Sequence, residues 1–371
     1  MRMQPPIEAR YTEMPEDELA RRIAECKERL GSQLCILGHH YQRDSVFRFA
    51  DFTGDSLKLS QRSAETAAKF IVFCGVHFMA ESADILRHEG QVVILPDLSA
   101  GCSMAEMADA EDVEDALRLI ERVCDEANVI PVTYVNSTAD VKALTGRWGG
   151  ACCTSSNARK MFDWALRSED QGGAGADKIL ALPDEHLARN TAFAMGYQGS
   201  DCVVYDPRKT DGGLSKEAIR KARFILWKGH CYVHQKFTVE QVDAVRVQTP
   251  GIRIIVHPEC SQAVVQAADE SGSTEQIIRA VSASAPLSKW AIGTEVNMVR
   301  RLAANNPDKF VRVLSDAPPL CAMMDRIDPP HLLWVLEELC HDKVVNRISV
   351  PPAIAADAKV ALERMLEQSG T

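Results

Sequence analysis

The chain has 371 residues, 46% of them hydrophobic and 25% charged, enough for two or three domains with a sizeable buried core. Its 42 Lys+Arg stand against 52 Asp+Glu, a net charge of -10, which disfavours nucleic acid as a partner because that affinity comes mainly from basic patches. The opening stretch "MRMQPPIEARYTEMPEDELARRI" has no apolar leader segment and no run of about 18 apolar residues follows, so no membrane span is expected and the predicted location is the cytoplasm.

In chain order, the helical period of "DELARRIAECKERL" gives way to the apolar run "LCIL" and then to "GHHYQ" at 38–42. Further on, "EDALRLIERVCDEA" precedes a strand ending in "PVTYVN", and "VEQVDAVRV" precedes one ending in "IIVHPE". Apolar runs alternating with helical segments predict an α/β protein with parallel sheets. The three strand ends are alike, each placing functional residues two positions apart: His39 with Tyr41, Tyr134 with Asn136, His257 with Glu259. Strand side chains alternate, so the members of each pair share a face while His40, Val135 and Pro258 point elsewhere.

Each strand end is followed by a small hydroxyl cluster opening a predicted helix: Ser56 in "GDSLKLS", Thr154 and Ser155 in "CTSSNARKM", Ser273 and Thr274 in "GSTEQII". Such residues are either plain helix caps or anion sites, since a helix amino terminus offers unpaired N–H groups and a favourable dipole. A further strand with a glycine comes next, in "IVFCGVHF", "ILWKGHC" and "WAIGTEV". A cysteine closes each unit: Cys102, Cys231 and Cys321. The spacing predicts three similar α/β units, parallel sheets flanked by helices, related by a pseudo-threefold axis with the active site at the centre. They cover 20–110, 111–235 with an insert, and 236–330, and a C-terminal helical segment occupies 331–371. The last stretch, "PAIAADAKVALERMLEQS", reads as an amphipathic packing or oligomer helix.

Twelve cysteines in a core-rich chain point to reduced thiols, some of them metal ligands, rather than to a disulfide framework. No C-x-x-C pair occurs, which disfavours zinc ribbons and knuckles. One cysteine per unit on a single centre leaves a fourth coordination position open, as a catalytic centre needs. Cys152, Cys153 and Cys260 are rival ligands, whereas Cys26, Cys35, Cys74, Cys124, Cys202 and Cys340 read as small buried hydrophobes. His40, His77, His186, His230 and His331 read as packing or surface residues, and His234 as a neighbour of Cys231 that either supports it or merely packs.

The motifs "GHHYQ", "GDSLKLS", "GVHFMAESADIL", "AGCSMAEM", "YVNSTADVKAL", "TSSNA", "PDEHLARN", "WKGHCYVHQ", "HPEC", "GST", "IGTE" and "CAMM" occur in this order along nearly the whole chain. In them the sequence resembles the quinolinate synthase family, the A protein of NAD biosynthesis. The resemblance implies a triplicated α/β fold and a 4Fe-4S cluster on Cys102, Cys231 and Cys321, with the fourth iron open as a Lewis acid. It implies the condensation of iminoaspartate with dihydroxyacetone phosphate to quinolinate, phosphate and two waters, and a functional link to an enzyme supplying iminoaspartate. The substrate-facing residues it implies are His39, Tyr41, Ser56, Tyr134, Asn136, Ser155, His257, Glu259, Ser273 and Thr274, with Thr154 and Ser156 as alternatives to Ser155. This chain departs from the family pattern at "SDAPPLC", which lacks two extra cysteines found in some members, and at Ala188, where glycine is expected.

Among these, Glu259 is the expected proton carrier, with His257 sharing that role or binding an anion. Tyr41 and Tyr134 are expected to donate to developing oxyanions and Asn136 to orient a carbonyl. His39, Ser56 and Ser155 are expected to hold carboxylates, and Ser273 and Thr274 the remaining anion. A 4Fe-4S hydro-lyase acting on a hydroxy acid and a non-enzymatic iron-sulfur redox sensor are the rival readings; the sensor leaves the polar strand ends unexplained.

Overall fold

The computed structural model describes residues 4–125 and 127–369. The apolar runs form short strands, and Leu34–His39, Phe70–Cys74, Val129–Tyr134 and Lys178–Leu182 are buried at every position. Strands without a polar face must be covered on both sides, and parallel pairing meets that need because each crossover lays a helix on the sheet.

Three separate sheets result. In the first, β1 (Leu34–His39) runs parallel to β2 (Phe52–Gly54) on one side and β3 (Phe70–Cys74) on the other, and β4 (Val92–Ile94) pairs with β3. In the second, β5 (Val129–Tyr134) lies between β6 (Ala151–Cys153) and β7 (Lys178–Leu182). Here β8 (Cys202–Tyr205) forms the outer edge of β9 (Phe224–Trp227), which pairs with β7. In the third, β10 (Arg253–Val256) lies between β11 (Glu270–Ser271) and β12 (Lys289–Gly293), and β13 (Phe310–Val313) pairs with β12. A short β14 (Arg347–Ile348) adds to β4 in the antiparallel sense.

With β8 and β14 set aside, each sheet has its strands in the order second, first, third, fourth. The chain therefore steps to one side of the first strand and then returns to its other side. The crevice at the carboxyl ends beside such a reversal is where open α/β sheets hold ligands. The three polar pairs follow the ends of β1, β5 and β10, but only His39 and Tyr134 belong to a strand: Tyr41, Asn136, His257 and Glu259 lie in the turns beyond, so the strand alternation expected from the sequence does not set their directions. The three cysteines each follow the fourth strand of a sheet, β4, β9 and β13.

One expected alignment is corrected. "ILWKGHC" is not the counterpart of "IVFCGVHF" and "WAIGTEV": β9 is a fourth strand, and the third strand of the middle sheet is β7, followed by "PDEH". The insertion of β8 and its flanking turns between β7 and β9 lengthens this unit and moves Cys231 away from Tyr134 in sequence.

Two compact units contain these sheets. One comprises the residues through Cys102 with Glu295–Arg301 and Leu320–Val350, and the other Ser103–Thr294, Leu302–Pro319 and the residues from Pro351. In the second, Val113, Leu117 and Ile120 of the helix Ala110–Cys124 join Leu180, Leu182, Ile225 and Trp227 in one core, each such side chain stabilising the fold by about 1.5–3 kcal/mol. The terminal helix Pro352–Ser369 buries Ala358, Ala361, Leu362 and Met365. It packs on the helix Ala139–Arg147, so closely that a Cβ at Gly146 would lie 2.1 Å from Asp357 O. Among the described residues no helix is long and apolar enough to cross a membrane.

Candidate active site

The second compact unit gathers Tyr134, Ser155, Cys231, His257 and Glu259. Glu259 is the hub. Its carboxylate receives a hydrogen bond from Tyr134, and Oε2 lies 2.6 Å from His234 Nδ1 with both side chains almost wholly buried. The other face of that imidazole, Nε2, is 3.1 Å from Thr294 Oγ1. Burial by itself raises the pKa of Glu259, but the imidazoles of His234 and His257 and the bonds from His234 and Tyr134 outweigh it and hold the group at about 2. Glu259 is thus a carboxylate throughout the neutral range.

His257 stacks on His234 with ring centroids 4.5 Å apart. Its Nδ1 accepts the backbone N–H of Glu259 at 3.3 Å, which leaves the proton on Nε2 and aims it at Ser155 Oγ, 3.2 Å away. Burial pushes the pKa of His257 down to about 3 against the attraction of Glu259, so the ring is a neutral donor. Asn136 Oδ1, just beyond β5, is buried and finds no protein partner among the described residues.

A second carboxyl stands near Glu259. Asp184 Oδ1 caps the helix Glu185–Ala194 by accepting from His186 N at 2.7 Å and Leu187 N at 2.9 Å. Its Oδ2 is buried without a hydrogen-bond partner among the described residues. Burial, then repulsion from Glu259, raises its pKa well above the carboxylate range. Two neighbouring carboxyls driven in opposite directions are suited to opposite ends of a proton transfer.

In the first unit, His39 ends β1 and the Tyr41 ring meets it edge-on at 4.8 Å. Tyr41 N–H donates to His39 Nδ1 at 3.1 Å, the counterpart of the Glu259 to His257 bond. His40 is buried with its ring 6.1 Å from Phe47. The hydroxyl residues divide by role. Ser273 caps the helix Thr274–Ser282 by accepting from Gln276 N, and Thr274 is its first residue. Ser56 opens the helix Ser56–Glu65 but the cap is Asp55, which accepts from Lys58 N. Thr154 bonds to Asn157 Oδ1, which leaves Ser155 as the hydroxyl that reaches His257.

Cys231 Sγ, a ring nitrogen of His234 and a carboxylate oxygen of Glu259 lie within 4.8 Å of one another. Cys102, Cys231 and Cys321 are half-buried, as is Cys124. The rivals differ: Cys152, Cys153 and Cys260 are buried, and burial raises the pKa of each. Cys260 Sγ also donates to Gly293 O. Cys231 with His234 and Glu259 is a donor set of the kind a metal centre uses.

The sequence reading left His234 without a firm role, although its position in the C-x-x-H spacing from Cys231 was the available signal. Asp184 carried only the local signal of a helix cap in "PDEH", and Gln235 and Thr294 carried none, because each acts through a contact between segments distant in sequence.

The family model described as quinolinate synthetase A protein matches residues 21–367. The chain is 52% identical over 363 residues to a quinolinate synthase of Acidobacterium capsulatum, covering 97% of this chain and 95% of that one. It is 51% identical over 353 residues to one of Streptomyces coelicolor, covering 94% and 88%, and 51% over 359 residues to one of Geobacillus kaustophilus, covering 96% and 95%.

Proposed function

Because this chain belongs to the quinolinate synthase family and is an enzyme of that kind, we propose that it condenses iminoaspartate with dihydroxyacetone phosphate, releasing quinolinate, phosphate and two waters. The observation that carries this reading is the buried cluster of Tyr134, His234, His257 and Glu259 with Cys231 at its edge. Cys102, Cys231 and Cys321 would hold a 4Fe-4S cluster, which when bound supplies an open iron as Lewis acid to a departing oxygen.

The chain's own residues handle protons and anions. Glu259, ionised and fixed by Tyr134 and His234, accepts a proton from carbon and, being a weak base, returns it to a leaving hydroxyl. Tyr134 and Tyr41 donate to developing oxyanions, and Asn136 orients a carbonyl. The Nε2–H of His257 and the Ser155 hydroxyl form one donor pair for a carboxylate. His39 and Ser56 are assigned to the other carboxylate. Ser273 and Thr274 lie at a helix amino terminus suited to the phosphate.

The test is anaerobic purification with iron and sulfide analysis, followed by coupled assays of quinolinate and phosphate. About four irons and four sulfides per chain are expected, with loss of the cluster on replacing Cys102, Cys231 or Cys321 by Ser and retention on replacing Cys153 or Cys260. Stoichiometric zinc, or an intact cluster in any of the first three variants, sinks the ligand assignment. Turnover without phosphate release favours the hydro-lyase.

A further inference from the structure

The loops that carry Glu259 and Tyr41 are held in the same unusual way. Three consecutive backbone carbonyls follow the strand-end histidine in each, and side chains from other elements take all of them. In the His257 loop, Asn190 Nδ2 donates to Pro258 O at 2.8 Å and to Cys260 O at 2.9 Å, and Gln235 Nε2 to Glu259 O at 2.9 Å. In the His39 loop, Asn297 Nδ2 donates to Tyr41 O at 3.3 Å, and Arg301 donates to His40 O and to Gln42 O, the latter at 3.0 Å. Asn190 lies on the helix that follows the third strand of the middle sheet; Asn297 and Arg301 lie four apart on the helix Val296–Asn305, which follows the third strand of the last sheet.

We propose that Asn190 with Gln235, and Asn297 with Arg301, are two copies of one carbonyl clamp, positioning residues that set the side-chain direction of Glu259 and Tyr41. The peptide unit is planar, so fixing the carbonyls before and after a residue fixes both of its soft torsions and hence the bearing of its Cβ. The N–H groups of these loops are engaged within the loop or with a neighbouring strand end, while the carbonyls, having left the ladder, need partners from elsewhere. The clamp supplies them. Asn190 on Pro258 O with Gln235 on Glu259 O holds the two peptide units that bracket Glu259, Arg301 on His40 O with Asn297 on Tyr41 O holds the two that bracket Tyr41, and the second bond of Asn190 and of Arg301 fixes the next carbonyl along. Arg301 is itself oriented by pairing with Asp44 and by lying over the Phe47 ring at 3.6 Å. The proposal rests on the reading that Tyr41 and Glu259 face the substrate.

The experiment is a double-mutant cycle on anaerobically purified, iron-matched protein, with quinolinate formation as the readout and thermal midpoints recorded in parallel. Arg301→Lys keeps a charge for Asp44 but loses the fork. It is expected to lower kcat/KM about 10- to 100-fold in the wild-type background, the range for misplacing a reacting group by a fraction of an ångström. In a Tyr41→Phe background the same change is expected to lower it less than about threefold, because the group being positioned has already gone. Equal losses in both backgrounds show a merely structural contact and overturn the proposal, as does full activity in Arg301→Lys. Full activity in Tyr41→Phe alone shows instead that the placement of Tyr41 against substrate was mistaken. The clamp is then decided by Asn190→Ala: a fall in kcat at unchanged iron content supports it, and wild-type kcat overturns it.

Discussion

The backbone N–H of Glu259 donates to Nδ1 of His257, two residues earlier, at 3.3 Å. Tyr41 and His39 repeat the relationship at 3.1 Å. The bond leaves the proton on Nε2, which for His257 meets Ser155 Oγ, and ties each ring to the backbone of the next functional residue.

For His257 the consequence can be read in the pH dependence of stability. An unfolded chain protonates this histidine near 6.5, but burial holds it neutral in the fold down to about 3. The unfolded state therefore binds the extra proton, and stability is lost progressively as pH falls from 6.5 towards 3. Glu259 adds loss in the same direction, from the ordinary 4.5 down to about 2. Thermal midpoints measured from pH 7.5 to 5 are expected to fall more steeply for the wild type than for His257→Gln. Parallel curves would show that His257 is not buried as a neutral ring.

Glu259→Gln preserves size and hydrogen-bonding shape but cannot take a proton. Turnover is expected to drop by about 10²- to 10⁴-fold with iron content unchanged. His40→Gln is the control, since His40 is buried towards Phe47: a modest loss of stability with turnover near wild type is expected. An inactive His40 variant with intact iron, or an active Glu259 variant, reverses the assignment of faces along the strand end.

His234 and Glu259 form a buried pair, and removing one partner strands the other. His234→Ala is expected to destabilise the protein by about 3–5 kcal/mol, measured by anaerobic denaturant titration. A change below about 1 kcal/mol would mean that water already shields the pair.

Gly229 lies two residues before Cys231, where a Cβ would stand 2.2 Å from Pro183 O and 3.3 Å from Met107 Cβ. Backbone on that side cannot yield cheaply, so Gly229→Ala should move the loop that carries Cys231. Iron per chain is expected to fall by at least half relative to a Gly251→Ala control, since Gly251 has open space around it although its φ of +77° carries its own local strain. Equal iron in the two variants would show that the Cys231 loop tolerates displacement.

Periodic and local features can be read from the residues alone. The two-residue spacing of His39 with Tyr41 and of His257 with Glu259 was legible, but the strands stop at His39 and Val256, so a turn rather than strand alternation sets the second member of each pair; burial of "LCIL" and "PVTY" on both faces required parallel sheets with helical crossovers. One cysteine at the close of each repeat was legible for the same reason: a repeated unit places its equivalent residue at an equivalent strand end. Tertiary structure decided the rest. The insertion of β8 hid the true third strand of the middle unit, because the apolar run of β9 has the same pattern as β7 and only hydrogen-bond pairing tells them apart. Ser273 and Ser155 occupy equivalent hydroxyl clusters, yet one caps a helix and the other meets His257. The pairing of His234 with Glu259, and the carbonyls taken by Asn190 and Arg301, join segments tens to hundreds of residues apart. Such contacts leave no periodic trace, since hydrogen bonding depends on where side chains meet in space, and chain folding alone sets that distance.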